Sequence, residues 1–326
     1  MAFRRGYGTG VATLCAMIHN IAVSRCSAAS ASIGDDKTTS NDRNHFSQNK
    51  DIKNKIGYAD KDAFSSNPID AQIALFSSGI YVVENFLDDK WLYTAREKER
   101  QLLAHLRNHI EKKVASPTKD YKDPHYFAPS AYNRYHINLL TDQASESDLN
   151  IIKIQAIQQI VEGYFKKFNR NPHEIFQSEL QFIISLPHAE EQPVHCDNTE
   201  PGLTFVIPLV DITLLNGPTA VVANSCHWTD QMPPLLFSAF KYLLMSMWGK
   251  HVCEYLVASK SDKDHDIHRP LIPAGSLLIF DARTMHWGCA NLSKTETRSI
   301  LIFRVDSMDS PPPNIISPKT SNIKFD

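Results

Sequence analysis

Apolar residues in the first half of the chain recur at helical spacing in two places. The first stripe follows Asp88 and Asp89, either of which can cap a helix. Its members are Trp91, Leu92, Leu102, Leu103 and Leu106. The second stripe follows the polar run 145–148 and contains Ile151, Ile154, Ile157, Ile160, Val161, Tyr164 and Phe165. Both segments are predicted to be amphipathic helices that support the fold.

From Phe176 onward the pattern changes to short apolar or β-branched runs bounded by Pro, Gly, Asn and Asp, which is typical of strands. A similar run occupies 80–83. The later runs are 180–186, 203–210, 219–222, 276–280 and 299–303. A helical insert is predicted at about 235–248. Strands that follow one another without crossover helices favour an antiparallel sandwich or barrel, mostly β with flanking helices.

The composition divides the chain into four parts. Residues 35–69 are rich in Asp, Lys, Asn and Ser and are predicted to form a disordered linker, because they bury too little apolar surface. One catalytic or binding domain is expected over 70–310, followed by a C-terminal tail, 311–326. Residues 1–34 resemble a targeting segment, with Arg4 and Arg5 before an apolar stretch and no acid before Asp35.

That segment fits two destinations. The order basic, apolar, small suits a secretory signal, whereas arginines and serines without acids suit a mitochondrial or plastid presequence. An untargeted cytoplasmic protein with a frayed tail is the remaining alternative. The apolar stretch is too short to span a bilayer.

Charge and motifs restrict the function classes. The chain has 34 basic and 36 acidic residues and a net charge of −2, so no basic face for nucleic acid is indicated. The sequence has no nucleophile elbow, P-loop or dinucleotide fingerprint. The expected partner is a small-molecule or lipid-like substrate, and the oligomeric state is left open.

Three residues have the chemistry of a metal site. His195 and Asp197 are two positions apart, which on a strand places both side chains on one face. His286 comes just after the predicted strand 276–280. Two imidazoles and one carboxylate on one side of an ion are the ligand set of non-haem Fe(II) oxygenases. Zinc accepts the same ligands, so a zinc enzyme stays an alternative.

Two further residues suit a co-substrate. Arg298 begins the last predicted strand, where its planar guanidinium can bind a carboxylate through two hydrogen bonds. A surface ion pair is the alternative. Gln181 precedes the His195 turn on a predicted strand and either bonds the co-substrate inside a barrel or faces water.

The chain resembles the phytanoyl-CoA dioxygenase family over roughly residues 70–306. The resemblance rests on three stretches: Ala74 to Asp89 at the start, Asp211 to Trp228 in the middle, and Ile272 to Asn291 before Arg298. Ala223-Asn-Ser-Cys-His-Trp departs from the family's usual Pro-Gly-Ser-His, which leaves the role of His227 open.

The resemblance implies a double-stranded β-helix, a jelly-roll, cupin-like barrel with helices outside. It implies Fe(II) held by His195, Asp197 and His286, 2-oxoglutarate anchored by Arg298, O2 as oxidant and ascorbate as the reductant. The implied reaction is hydroxylation with release of succinate and CO2. A catalytically silent jelly-roll that only binds a ligand is the alternative from another class.

Overall fold

The computed structural model describes residues 56–111, 127–139, 149, 151, 154–228 and 267–309, with backbone alone for 105–111 and 127–130. The expected targeting segment 1–34, the helical insert 235–248 and the tail 311–326 lie outside these residues. The helices are α1 (Lys61–Ser66), α2 (Ile69–Ser77), α3 (Asp89–Glu111) and α4 (Gln155–Lys167). The strands are β1 (Gly57–Asp60), β2 (Ile80–Glu84), β3 (Phe127–Ala131), β4 (Arg134–Asn138), β5 (Ile175–Ser185), β6 (Gly202–Pro208), β7 (Thr219–Val222), β8 (Ile267–His268), β9 (Leu277–Asp281), β10 (His286–Gly288) and β11 (Arg298–Ser307).

The strands form two sheets. The larger sheet has eight strands in the order β1-β2-β9-β6-β11-β5-β4-β3, and the smaller has the order β10-β7-β8. All pairings are antiparallel except that of β1 with β2. The fold is therefore mostly β with few helices, as in jelly-roll, cupin-like proteins, and the predicted fold class is confirmed.

Alternation along the strands builds two apolar layers, because successive side chains point to opposite faces of a sheet. On β11, Ile300 and Ile302 face inward and pack with Val221 of the smaller sheet. Leu301 and Phe303 face outward and pack with helix α4, for example with Ile160. Both faces of the larger sheet are covered, which explains why its strands were visible in the sequence as continuous apolar runs.

The predicted linker ends earlier than residue 69, and this boundary is corrected. Within it, β1 pairs with β2, and α1 begins at Lys61 after a cap in which Asp60 accepts from the Ala63 amide. Ile56 and Phe64 are buried in the two apolar layers. Widely spaced anchors in a polar segment do not produce a periodic signal, so composition alone suggested disorder.

Within the described residues, the predicted helices and strands are present with shifted ends. Helix α3 follows an Asp88 carboxylate that accepts from the Trp91 amide, as expected for a cap. Helix α4 begins at Gln155, later than the polar run 145–148 indicated. Strands β1, β3, β4, β8 and β10 had not been predicted. None of the helices in the described ranges has the length and apolar content that crossing a bilayer requires.

Candidate metal and co-substrate site

The two candidate histidines are brought together by the backbone. The sequence suggested that His195 lies on a strand. Instead, His195 forms a single antiparallel β-bridge with His286. The His195 amide donates to the His286 carbonyl at 3.0 Å, and the His286 amide donates back at 2.8 Å. The imidazole centroids are consequently 4.4 Å apart. His286 itself begins strand β10, which pairs with β7.

A tight turn fixes the start of β10. Asp281, the last residue of β9, accepts hydrogen bonds from the amide and the side chain of Arg283. The hydroxyl of Tyr164 on α4 donates to the same carboxylate at 2.5 Å. His286 Nδ1 lies 2.9 Å from the Thr284 carbonyl, and it donates to that oxygen when the imidazole proton is on Nδ1. The turn therefore sets the direction of the imidazole.

Each candidate ligand has one atom engaged with the protein and one directed to a common point. His195 Nδ1 lies 2.8 Å from the Pro193 carbonyl, and Thr204 Oγ1 donates to Asp197 Oδ2 at 2.7 Å. Asp197 Oδ1 lies 3.4 Å from His286 Nε2 and 3.9 Å from His195 Nε2. Ligand atoms of all three residues lie within 4.8 Å of one another. This spacing suits one metal ion that all three residues bind together.

The electrostatics of the three residues match those of a ligand set. Burial alone would raise the pKa of Asp197, but His286 and Arg304 hold it well below its usual range. Burial and the neighbouring His286 lower the pKa of His195 to about 4. Burial would also lower the pKa of His286, but Asp197 outweighs it and raises that pKa. At neutral pH the carboxylate is ionised and His195 is neutral, as metal binding requires.

A chain of polar side chains crosses the inner face next to the three residues. Arg304 donates to Glu179 at 3.3 Å and to Asp306 at 2.8 Å. Gln181 Nε2 donates to Glu179 at 3.0 Å, and its Oε1 lies 3.2 Å from His136 Nδ1. Gln181 therefore faces the barrel interior rather than water. Its role in binding a co-substrate stays a prediction.

Arg298 lies on the inner face at the start of β11 and is almost completely buried. Its guanidinium donates to the Gly217 carbonyl and, at 3.0 Å, to Ser185 Oγ on β5. Its Nε is buried and has no hydrogen-bond partner among the described residues. Burial and the nearby Arg134 lower the pKa of Arg298 to about 9. The surface ion pair considered from the sequence is therefore wrong, and the site favours an anion.

Three further residues, Trp287, Tyr135 and His227, have other surroundings. Trp287 is buried on the face of β10 opposite His286, with Arg269 over its ring at 5.9 Å. Tyr135 packs on the outer apolar layer. His227 Nε2 lies 3.1 Å from the Ser77 carbonyl, so this side chain makes a contact within the fold. Thr204 had not been identified, because a threonine in a strand run carries no signal of its contact with Asp197.

The sequence profile of the family described as phytanoyl-CoA dioxygenase matches residues 77–300. The chain belongs to the phytanoyl-CoA dioxygenase family. None of the curated proteins compared with it is detectably similar in sequence.

Two solved structures, SnoN and AviO1, are similar to this chain in fold. SnoN, the non-haem alpha-ketoglutarate-dependent epimerase of nogalamycin biosynthesis, matches with a TM-score of 0.51 and 14% identity, over 74% of this chain and 84% of SnoN. AviO1 from Streptomyces viridochromogenes Tue57 also has a TM-score of 0.51 and 14% identity, over 75% of this chain and 97% of AviO1. At these identities the likeness concerns the fold alone. The family predicted from sequence is confirmed by the profile.

Proposed function

We propose that this protein is an Fe(II)- and 2-oxoglutarate-dependent dioxygenase that hydroxylates a small-molecule or lipid-like substrate. The proposal rests on the convergence of His195 Nε2, His286 Nε2 and Asp197 Oδ1, each held by a contact of the residue's other polar atom. Membership in the dioxygenase family supports both cofactors.

The donor set fits ferrous iron. The imidazoles of His195 and His286 and the carboxylate of Asp197 would hold Fe(II), since two imidazoles and one carboxylate are the ligand set of non-haem Fe(II) oxygenases. When bound, Fe(II) supplies the oxidising chemistry that couples decarboxylation of 2-oxoglutarate, to succinate and CO2, to hydroxylation. Ascorbate would serve as the reductant that keeps the iron ferrous.

The side chains of the protein perform the binding and orienting steps. Asp197 provides the negative charge that retains a divalent cation, and Thr204 fixes the direction of its carboxylate. Arg298 would hold the far carboxylate of 2-oxoglutarate through its Nε. Buried N–H groups normally have an acceptor, and Arg298 Nε has none among the described residues, so a carboxylate oxygen would supply it. Phe280 packs against the His286 ring at 4.6 Å and shields that side from water.

Asp197 also bears on the outcome of the reaction. Related enzymes that halogenate have a small residue at the carboxylate position, so that chloride binds the metal there. A carboxylate at residue 197 leaves no room for chloride and favours transfer of a hydroxyl group. This part of the proposal rests on the family resemblance.

The test is succinate formation by the purified protein with Fe(II), ascorbate and 2-oxoglutarate, first without a substrate and then with pools of metabolites. Wild type should turn over 2-oxoglutarate, Asp197→Asn should lose the activity, and Arg298→Ala should raise the KM for 2-oxoglutarate. Arg170→Ala is the arginine control, since Arg170 forms ion pairs with the half-exposed side chains of Glu200 and Asp309.

Three outcomes would contradict the proposal. Neither turnover nor 2-oxoglutarate binding in the presence of Fe(II) would favour a silent jelly-roll. Activity that zinc restores after chelation, and iron does not, would favour a zinc enzyme. Unchanged 2-oxoglutarate affinity in Arg298→Ala would remove the assigned anchor.

A further inference from the structure

Arg134 is a second buried arginine beside Arg298. Strand β5 separates their strands, and both residues pair with Ser185, so their side chains leave the same face of the sheet. Arg134 is fully buried. The proximity of the two guanidiniums contributes to the lowered pKa of Arg298. Two like charges are therefore enclosed at one end of the barrel interior.

The guanidinium of Arg134 is held in position by main-chain carbonyls. Its Nη2 donates to the Glu190 carbonyl at 2.9 Å and to the Cys289 carbonyl at 2.7 Å. Its Nη1 is buried and has no hydrogen-bond partner among the described residues. Burial lowers the pKa of Arg134 to about 10, against the opposing influence of Cys289 and Glu191. Buried N–H groups normally have a hydrogen-bond acceptor, so Arg134 Nη1 is available to donate to a bound ligand.

Gly288 shows where that nitrogen points. Gly288 is two residues after His286 on β10, so its missing side chain would lie on the same face as the metal-site imidazole, about 6.6 Å along the strand. A Cβ atom built on Gly288 would lie 2.3 Å from Arg134 Nη1 and 3.2 Å from its Cζ. The guanidinium of Arg134 therefore occupies the space next to the imidazole that a side chain at 288 would fill.

We propose that Arg134 is a second anchor for the far carboxylate of 2-oxoglutarate, so that Arg298 and Arg134 together bind that end and select a dicarboxylic oxo acid over a monocarboxylic one. This proposal rests on the function proposed above. The free nitrogens, Nε of Arg298 and Nη1 of Arg134, are both buried on the inner face. A carboxylate has two oxygens and can accept from both guanidiniums.

The experiment compares two oxo acids by calorimetry on the full chain loaded with Mn(II), which does not turn over. 2-Oxobutyrate has the same metal-chelating end as 2-oxoglutarate but lacks the far carboxylate. Arg134→Met should weaken 2-oxoglutarate on the order of 10- to 100-fold, the value of a charge-assisted hydrogen bond. Its affinity for 2-oxobutyrate and for Mn(II) should stay that of wild type. Arg170→Met is the matched arginine control and should change neither affinity.

Gly288→Ala provides an independent variant should Arg134→Met fail to fold. The new methyl group would displace the Arg134 guanidinium, while Gln192 Oε1, 2.6 Å away, belongs to a flexible side chain that can move. Gly288→Ala should therefore weaken 2-oxoglutarate selectively in wild type. Added to Arg134→Met, the same change should weaken it little further, since the two changes remove one interaction.

The outcomes separate this inference from the proposed function. Loss of 2-oxoglutarate binding in Arg298→Ala, with wild-type binding in both Arg134→Met and Gly288→Ala, would overturn the role of Arg134 alone. An equal loss of affinity for both oxo acids would also overturn it, because a purely structural brace would act in that way. Absence of 2-oxoglutarate binding in Mn(II)-loaded wild type would overturn the proposed function together with this inference.

Discussion

Removing the hydroxyl of Thr204 should weaken metal binding with little change to the rest of the barrel. Thr204 is buried on β6, and its Oγ1 donates to Asp197 Oδ2 at 2.7 Å. Without that contact the carboxylate is free to rotate, and Oδ1 no longer has a fixed position near His286 Nε2 at 3.4 Å. Thr204→Val keeps the shape and deletes the donor.

Two lines of reasoning give the size of the effect. A hydrogen bond to a charged acceptor contributes about 1.5–3 kcal/mol. Loss of an outer partner of a metal ligand typically costs about 10- to 100-fold in metal affinity, which corresponds to about 1.4–2.7 kcal/mol. Both lead to a Kd for Mn(II) raised on the order of 10- to 100-fold.

The assay is Mn(II) binding followed by calorimetry, with urea unfolding of the metal-free protein measured in parallel. Thr284→Val is the control, because Thr284 is equally buried beside His286, yet its hydroxyl makes only a 3.4 Å contact with the Gly79 carbonyl. Wild-type Mn(II) affinity in Thr204→Val, or an equal loss in Thr284→Val, would refute the reasoning.

Two further predictions concern stability and pH. Tyr164→Phe removes the donor to Asp281 at 2.5 Å and should lower the free energy of unfolding by about 1.5–3 kcal/mol in urea titrations; no loss would contradict the contribution of that bond. Because Asp197 raises the pKa of His286 and a metal displaces the imidazole proton, Mn(II) affinity should increase as pH rises through and above about 6.5. Affinity that is flat or falls with pH over this range would show that His286 is not a ligand.

The sequence was sufficient to predict most of the large sheet. The runs that became β5, β6, β9 and β11 are covered on both faces, so nearly every position is apolar and the signal is strong. Strand β10 has only three residues, too few for any periodicity. Strand β4 contains Arg134, His136 and Asn138 on its inner face, and this polarity concealed it.

The candidate ligands could be named from their types and order, but not their geometry. The bridge between His195 and His286 depends on hydrogen bonds between segments far apart in the chain, which no local pattern encodes. The orientation of Asp197 depends on Thr204, a residue that is common in strands for reasons of shape. The position of Arg134 could not be predicted from the sequence, because its relation to Gly288 requires three-dimensional packing.

The charges on the inner face explain why one barrel suits two ligands of opposite sign. Three acidic side chains, Asp197, Glu179 and Asp306, lie around Arg304, so this end would attract a divalent metal. Arg298 and Arg134 lie at the other end and raise the potential there. Burial strengthens both fields, since few water molecules screen them.

A metal bound without a dianion would leave the guanidiniums uncompensated, and a dianion without the metal would lack its chelating partner. Mn(II) and 2-oxoglutarate should therefore each increase the affinity for the other, and 2-oxobutyrate should show a smaller mutual increase.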